Sequence, residues 1–247
     1  MKRLLVLVAV LAPLLSGSAL ADVDAGPPRL QLSERCVTKS ERRKAIRFLA
    51  ADSTRLIGVE LGSGRRGLVL AHGRHQNVCE WIRHGRRYAR VGYRVLLFDH
   101  RNHGSSTYTK KRYWRMDYDV VGAVRTLRQR GARTVVLAGS SMGATAALVG
   151  AADAKPPVDG VVSLSAPTNI SSVNAEVAVQ RLAVPTLFVA AEQDDPFNVD
   201  AQTLFDASVA REKQLEVLPG SAAHGSRLLA FASVRTLFDE FLRVHSD

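Results

Sequence analysis

Short apolar runs alternate along the chain with stretches whose apolar positions recur every three or four residues. Two early runs, 44–51 (KAIRFLAA) and 55–62 (RLIGVELG), flank Asp52-Ser53 and predict a β-hairpin. Six more, at 66–72, 93–99, 133–139, 159–165, 185–191 and 214–220, are bounded by glycine or polar residues and read as buried strands. Helical periodicity covers 79–91, 117–130, 142–152, 171–182, 200–210 and 226–245. Strands separated by amphipathic helices predict an α/β, doubly wound, mostly parallel eight-stranded sheet with helices on both faces; the hairpin supplies an antiparallel edge. Ligands of such sheets bind at the carboxyl ends of the strands, so chemistry is to be sought in the loops that follow them.

The N-terminus departs from this alternation. MKRLLVLVAVLAPLLSGSALA has a basic start at Lys2 and Arg3, an apolar run from Leu4 and an A-x-A end at Ala19-Leu20-Ala21. It predicts a signal peptide over 1–21, leaving 22–247 as a single domain that is secreted or periplasmic. The apolar run contains Pro13 and is short for a span, and no later segment is long and apolar enough to cross a bilayer, so no stable membrane span is expected. Export puts Cys36 and Cys79, the two cysteines, where disulfides persist. They can pair in one way within the chain, the alternative being two free thiols. No C-x-x-C spacing suggests a zinc site, and no metal or cofactor is expected.

Charge adds an asymmetry. The chain carries 34 Lys and Arg against 23 Asp and Glu, a formal net charge of +11. Residues 22–133 hold 25 basic and 10 acidic groups, and residues 134–247 hold 7 and 13. A basic half can attract anionic surfaces weakly, although a solvated arginine-rich face is the preferred account of it. Nucleic acid is not expected as a partner, because YTKKRYWR (108–115) interleaves aromatic and basic residues without forming a binding module.

The junction RTVVLAGSSMGATAALVG (133–150) carries the strongest chemical signal. Gly139-Ser140-Ser141-Met142-Gly143 fits G-x-S-x-G at a strand-to-helix corner, where the glycines admit close backbone approach and the helix start faces Ser141. A serine hydroxyl needs a base to become a nucleophile. Of seven histidines, His224 lies in the loop after the last strand and before the last helix. A carboxylate is needed to hold that imidazole. AEQDDP (191–196) offers Asp194 and Asp195 after the preceding strand, and one of the two is placed to hold it. The backbone amides of Met142 and of Arg74, in the His72-Gly73-Arg74 turn, are candidates for stabilising an oxyanion.

With these marks in place, 44–244 resembles the α/β-hydrolase fold superfamily, and is most similar to its exported, lid-free bacterial members. The matching motifs are the HG turn at His72-Gly73, the D-x-R-x-H-G-x-S loop of Asp99, Arg101, His103, Gly104 and Ser106, the Ser141 elbow, the acid loop, and the P-G-x-x-x-H-G loop around His224. Cys79-Glu80-Trp81 fits the C-x-W that follows the oxyanion loop in those relatives. The resemblance implies an Arg74 oxyanion amide, a Cys36–Cys79 bond, and Arg101 and His103 as loop braces; its G-x-x-D pattern, counted from Ala191, selects Asp194 as the acid, with Asp195 the alternative that its D-P pattern offers. Asn102 stands where relatives usually have glycine, and asparagine tolerates the left-handed conformation such a turn needs. Superfamily lids are usually inserted after the sixth strand, but only residues 168–184 are available here, which implies an open site.

The function thus expected is hydrolysis of a carboxylic ester or thioester through Ser141, His224 and Asp194, with a small-molecule acyl substrate. Acyl transfer to another acceptor would use the same residues. A non-catalytic binding protein on an idle hydrolase fold is the reading from a different class, and labelling of Ser141 separates it.

Overall fold

Leu68 and Leu70 face one side of their strand and Val69 the other, and all three are at most 1% exposed. That is what the two-residue side-chain period produces in a sheet covered on both faces. The computed structural model describes residues 30–246; the signal peptide expected at 1–21 lies outside the described residues. The main strands are β1 (Ala45–Leu49), β2 (Arg55–Leu61), β3 (Arg66–Ala71), β4 (Tyr93–Asp99), β5 (Thr134–Ser140), β6 (Gly160–Leu164), β9 (Thr186–Ala191) and β10 (Lys213–Leu218), with a small hairpin of β7 (Asn169–Ile170) and β8 (Val173–Asn174) between β6 and β9. The eight-stranded sheet has the order β1-β2-β4-β3-β5-β6-β9-β10. β2 pairs antiparallel with β1 and β4, and the remaining neighbours are parallel.

Helices α1 (Lys39–Arg43), α2 (Ile82–Arg90), α3 (Met116–Gln129), α4 (Met142–Asp153), α5 (Ala175–Val179), α6 (Phe197–Ala207) and α7 (Ala232–His245) complete the fold. Leu68 and Leu70 join a core layer with Ile82 and Tyr88 of α2 and Phe238 and Leu242 of α7. Val69 joins the opposite layer, with Val120 and Val124 of α3, Leu148 of α4 and Leu204 of α6. The sheet is therefore doubly wound. Truncating a side chain as enclosed as Leu70 costs about 2–5 kcal/mol.

Four expected helices differ in detail: 200–210 is shifted to Phe197–Ala207, and three others are broken or shortened. The start of 171–182 forms the β7–β8 hairpin, where Ser171 takes φ 53°, and α5 begins only after Asn174 caps it by accepting from the Val177 amide. The span 226–245 is a 3-10 turn, Gly225–Ala230, followed by α7; Phe231 at φ −82°, ψ 132° separates them. The span 79–91 likewise breaks at Trp81, between a 3-10 turn (Val78–Glu80) and α2. Cys36 and Cys79 are disulfide-bonded, with Cα atoms 5.6 Å apart, joining the segment before β1 to that turn.

Strand order fixes where a ligand can sit. From β3 the chain moves to β4 on one side, and β5 then lies on the other. The loops after β3 and β5 run in opposite directions and open a crevice at their carboxyl ends. Those loops hold Gly73 and Arg74, and Ser141.

Candidate active site

Ser141 occupies the sharp corner between β5 and α4 at φ 52°, ψ −120°. A non-glycine residue with positive φ is uncommon and persists only where its surroundings hold it. Here the Ser141 amide donates to the Leu164 carbonyl at 2.8 Å, and its own carbonyl accepts from the amides of Ala144 and Thr145. The flanking glycines are sterically required. A Cβ on Gly143 would lie 2.3 Å from the Ala71 carbonyl oxygen, and one on Gly139 would lie 2.3 Å from that of Gly143. The corner is thus wedged against the end of β3, with the Met142 amide at the first position of α4, where helix amides have no partner within the helix.

The loop after β9 brings Asp194 to His224. Nδ1 of His224 lies 3.0 and 2.9 Å from the two carboxylate oxygens. Asp194 is 8% exposed, whereas Asp195 is exposed; the geometry pairs the imidazole with Asp194. A proton on Nδ1 shared with Asp194 leaves the Nε2 lone pair available. Phe197 packs against the ring, centroid to centroid 4.4 Å, and restricts its rotation. Ser141 and His224 line one cavity of about 350 Å³, together with Gly73, Arg74 and Gln76.

Arg74 follows Gly73, and their shared peptide is firmly oriented. The Gly73 carbonyl receives hydrogen bonds from His72 Nδ1 at 2.7 Å and from the Gln76 amide at 3.2 Å. In a trans peptide the N–H points opposite to the C=O, so the Arg74 amide is turned away from those donors. His72 can donate because its Nε2 accepts from the His100 amide at 3.0 Å, which fixes the neutral Nδ1–H tautomer. Burial first, and His100 second, hold His72 well below the ordinary histidine range, consistent with a permanently neutral brace.

The loop after β4 braces the site from behind. Arg101 is fully buried and forks between Asp119 and Asp52, with N–O distances of 2.7–2.9 Å. His103 contacts the Arg101 carbonyl through Nδ1 at 2.9 Å. Asn102 takes φ 64°, and its side chain accepts from the Thr109 amide and donates to the Tyr113 carbonyl, so asparagine serves the turn in glycine's place. The Tyr108–Arg115 segment reaches the rim, where Arg74 lies over the Trp114 ring at 5.4 Å.

Glu80 is a functional candidate that sequence reasoning missed. One carboxylate oxygen accepts from the Gly73 amide at 2.6 Å; the other accepts from the hydroxyls of Ser140 at 2.6 Å and Ser226 at 2.8 Å. Ser140 Oγ also accepts from the Ser226 amide at 3.0 Å. A single carboxylate therefore ties the Gly73 turn, the Ser141 corner and the loop of His224 together. In the sequence it is only the middle residue of Cys79-Glu80-Trp81. Among the described residues, no group of three or more His, Cys, Asp or Glu is arranged to hold a metal ion.

A family model described as the alpha/beta hydrolase fold matches residues 68–182. No curated protein matches the chain. Among solved structures, an esterase from Pyrococcus furiosus superposes with a TM-score of 0.71 at 19% identity, covering 83% of this chain and 90% of that one. An esterase from a Rhodococcus species gives 0.65 at 16% identity, covering 82% and 99%. A dienelactone hydrolase from Anabaena variabilis gives 0.63 at 20% identity, covering 83% and 100%. At these identities the likeness is one of fold.

Proposed function

We propose that this chain, an α/β-hydrolase-fold protein, is an exported serine hydrolase that cleaves a carboxylic ester or thioester. The observation that carries the reading is that His224, paired with Asp194, lines the same cavity as Ser141 at its left-handed corner. Ser141 Oγ attacks the acyl carbonyl while His224 Nε2 takes its proton, and Asp194 stabilises the imidazolium that forms. The Arg74 and Met142 amides receive the oxyanion, and the start of α4 adds its positive end. The C–O or C–S bond to the leaving group breaks as His224 returns the proton to it. Water, deprotonated by His224, then attacks the acyl-serine, and Ser141 recovers its proton. Esters and thioesters are favoured over amides, whose leaving group demands better-placed protonation.

Export is supported by the N-terminal pattern and by the disulfide. The test is active-site labelling with a fluorophosphonate. Wild type should label and lose activity stoichiometrically. Ser141→Ala should not label, and should lose about 10³-fold or more in kcat, as removal of a triad member does. Labelling of Ser141→Ala at another serine, with activity kept, would move the nucleophile elsewhere.

A further inference from the structure

Beside the cavity of Ser141 lies a second one of about 620 Å³, and the two share Glu80, Ser226 and Arg227 as lining residues. Five arginines line the second cavity. Arg83, Arg87 and Arg90 follow one another at spacings of four and three along α2, which places them on one face of that helix. Arg235 comes from the first turns of α7, and Arg227 from the turn after His224.

The local negative charge is already committed. Glu80 is occupied by the Gly73 amide and by the Ser140 and Ser226 hydroxyls. Asp239, which pairs with Arg87, also accepts from the Tyr88 hydroxyl. Arg235 donates through Nη1 to the Leu229 and Ala230 carbonyls. Arg83, Arg90 and Arg227 have no side-chain hydrogen bond or ion pair among the described residues. His84, in the same wall, is held below the ordinary histidine range by burial first and then by Arg87, Arg83 and Arg235; the field there opposes any further positive charge. A concave wall of one charge sign concentrates counter-ions, and the guanidinium fork matches carboxylate and phosphate oxygens better than a lysine ammonium does.

We infer that this arginine groove binds an anionic group of the substrate, so that the preferred esters carry a carboxylate or phosphate on the part of the molecule that lies beyond Ser226 and Arg227. The inference rests on the serine-hydrolase reading of the adjoining site and deepens it by naming a substrate class.

The test compares matched pairs. On the acyl side, p-nitrophenyl monoglutarate is set against p-nitrophenyl valerate; on the leaving-group side, p-acetoxybenzoate against phenyl acetate. In at least one pair the anionic ester should have a kcat/KM about tenfold higher, mostly through KM, and the preference should shrink as salt is raised. The anionic-to-neutral ratio, in which general damage cancels, should fall about tenfold in R83Q/R90Q; the pair that responds tells which end of the ester enters the groove. Separately, glutarate should raise the Tm of Ser141→Ala, and should raise it less when R83Q/R90Q is added. If glutarate stabilises the protein but no ester is cleaved, the groove stands and the hydrolase reading falls. If both pairs are cleaved with ratios near one, unmoved by R83Q/R90Q, the anionic-substrate inference is overturned and the hydrolase reading survives.

Discussion

At Asp194 and Asp195, two neighbouring carboxylates meet different fates because only one faces the imidazole. Asp194→Asn should lower kcat by about 10³–10⁴-fold by disturbing the histidine tautomer, while Asp195→Asn, on an exposed carboxylate, should stay within about twofold. Steady-state kinetics on a p-nitrophenyl ester decide, and the reverse order would reassign the acid. Glu80 poses a different kind of question, since its carboxylate holds three loops without lining up with the proton path. Glu80→Ala leaves the Gly73 amide and two serine hydroxyls without their acceptor. Misplacement of the oxyanion turn on the ångström scale costs about 10²-fold, so kcat should drop by about that much while fluorophosphonate labelling slows without disappearing. Unchanged kcat in Glu80→Ala would show the loops to be held by other contacts. The Asp194-Asp195 dipeptide was legible because motif, strand end and chain order all pointed to it, whereas the choice within it turned on a single residue of spacing. Glu80 was not, because its partners Ser140 and Ser226 lie 60 and 146 residues away, and only the folded sheet says that those loops meet.

Among the elements, strands were legible and several helices only in part, for a physical reason. A strand buried on both faces must be apolar along its length, and glycine or polar loops mark where it ends. A helix end depends instead on one or two backbone angles, such as those at Trp81 and Phe231, which leave the apolar period unbroken. The short α1 was missed because its evidence is a cap: Thr38 accepts from the Glu41 amide while Glu41 reaches back to the Thr38 amide. That same Glu41 clips α1 to α2 through Arg86, with two contacts of 2.7 Å, and Arg86 also donates to the Cys36 carbonyl. Arg86 beside it, with the Thr38 amide, lowers the Glu41 pKa from 4.5 to about 2. A depressed carboxyl pKa stabilises the fold above the unfolded value and loses that contribution as pH falls through the folded one. Wild type should therefore hold a Tm advantage over Glu41→Gln at pH 6 that shrinks between about pH 4.5 and 2. With Arg86 one-third exposed, the advantage should be about 1–2 kcal/mol, or about 2–8 °C for a domain of this size. Equal Tm values at pH 6 would mean that the clip adds nothing beyond the neighbouring disulfide.

For the whole molecule, what covers the site decides what enters it. The residues between β6 and β9, where a lid would be inserted, are used up by the β7–β8 hairpin and α5. Val173, Ala175, Ala178, Val179 and Leu182 of that stretch are buried in the core layer with α3 and α4, and none lines the cavity of Ser141. That cavity is walled by Arg74, Gln76, Glu80, serines, His224 and Arg227, with no long apolar side chain among them. Each methylene of an acyl chain gains about 0.8 kcal/mol only if it leaves water for an apolar wall. Here a lengthening chain finds polar groups and solvent, so affinity should not grow with it, and packing a hexadecanoyl tail against arginines should be unfavourable. Across p-nitrophenyl acetate, butyrate, octanoate and palmitate, kcat/KM should peak at acetate or butyrate and fall by about tenfold or more toward palmitate. No jump should occur where the longer esters form micelles, because no element among the described residues is placed to open at an interface. A palmitate preference, or activity rising sharply at the micelle threshold, would require an apolar acyl channel built from residues that this fold commits to its core.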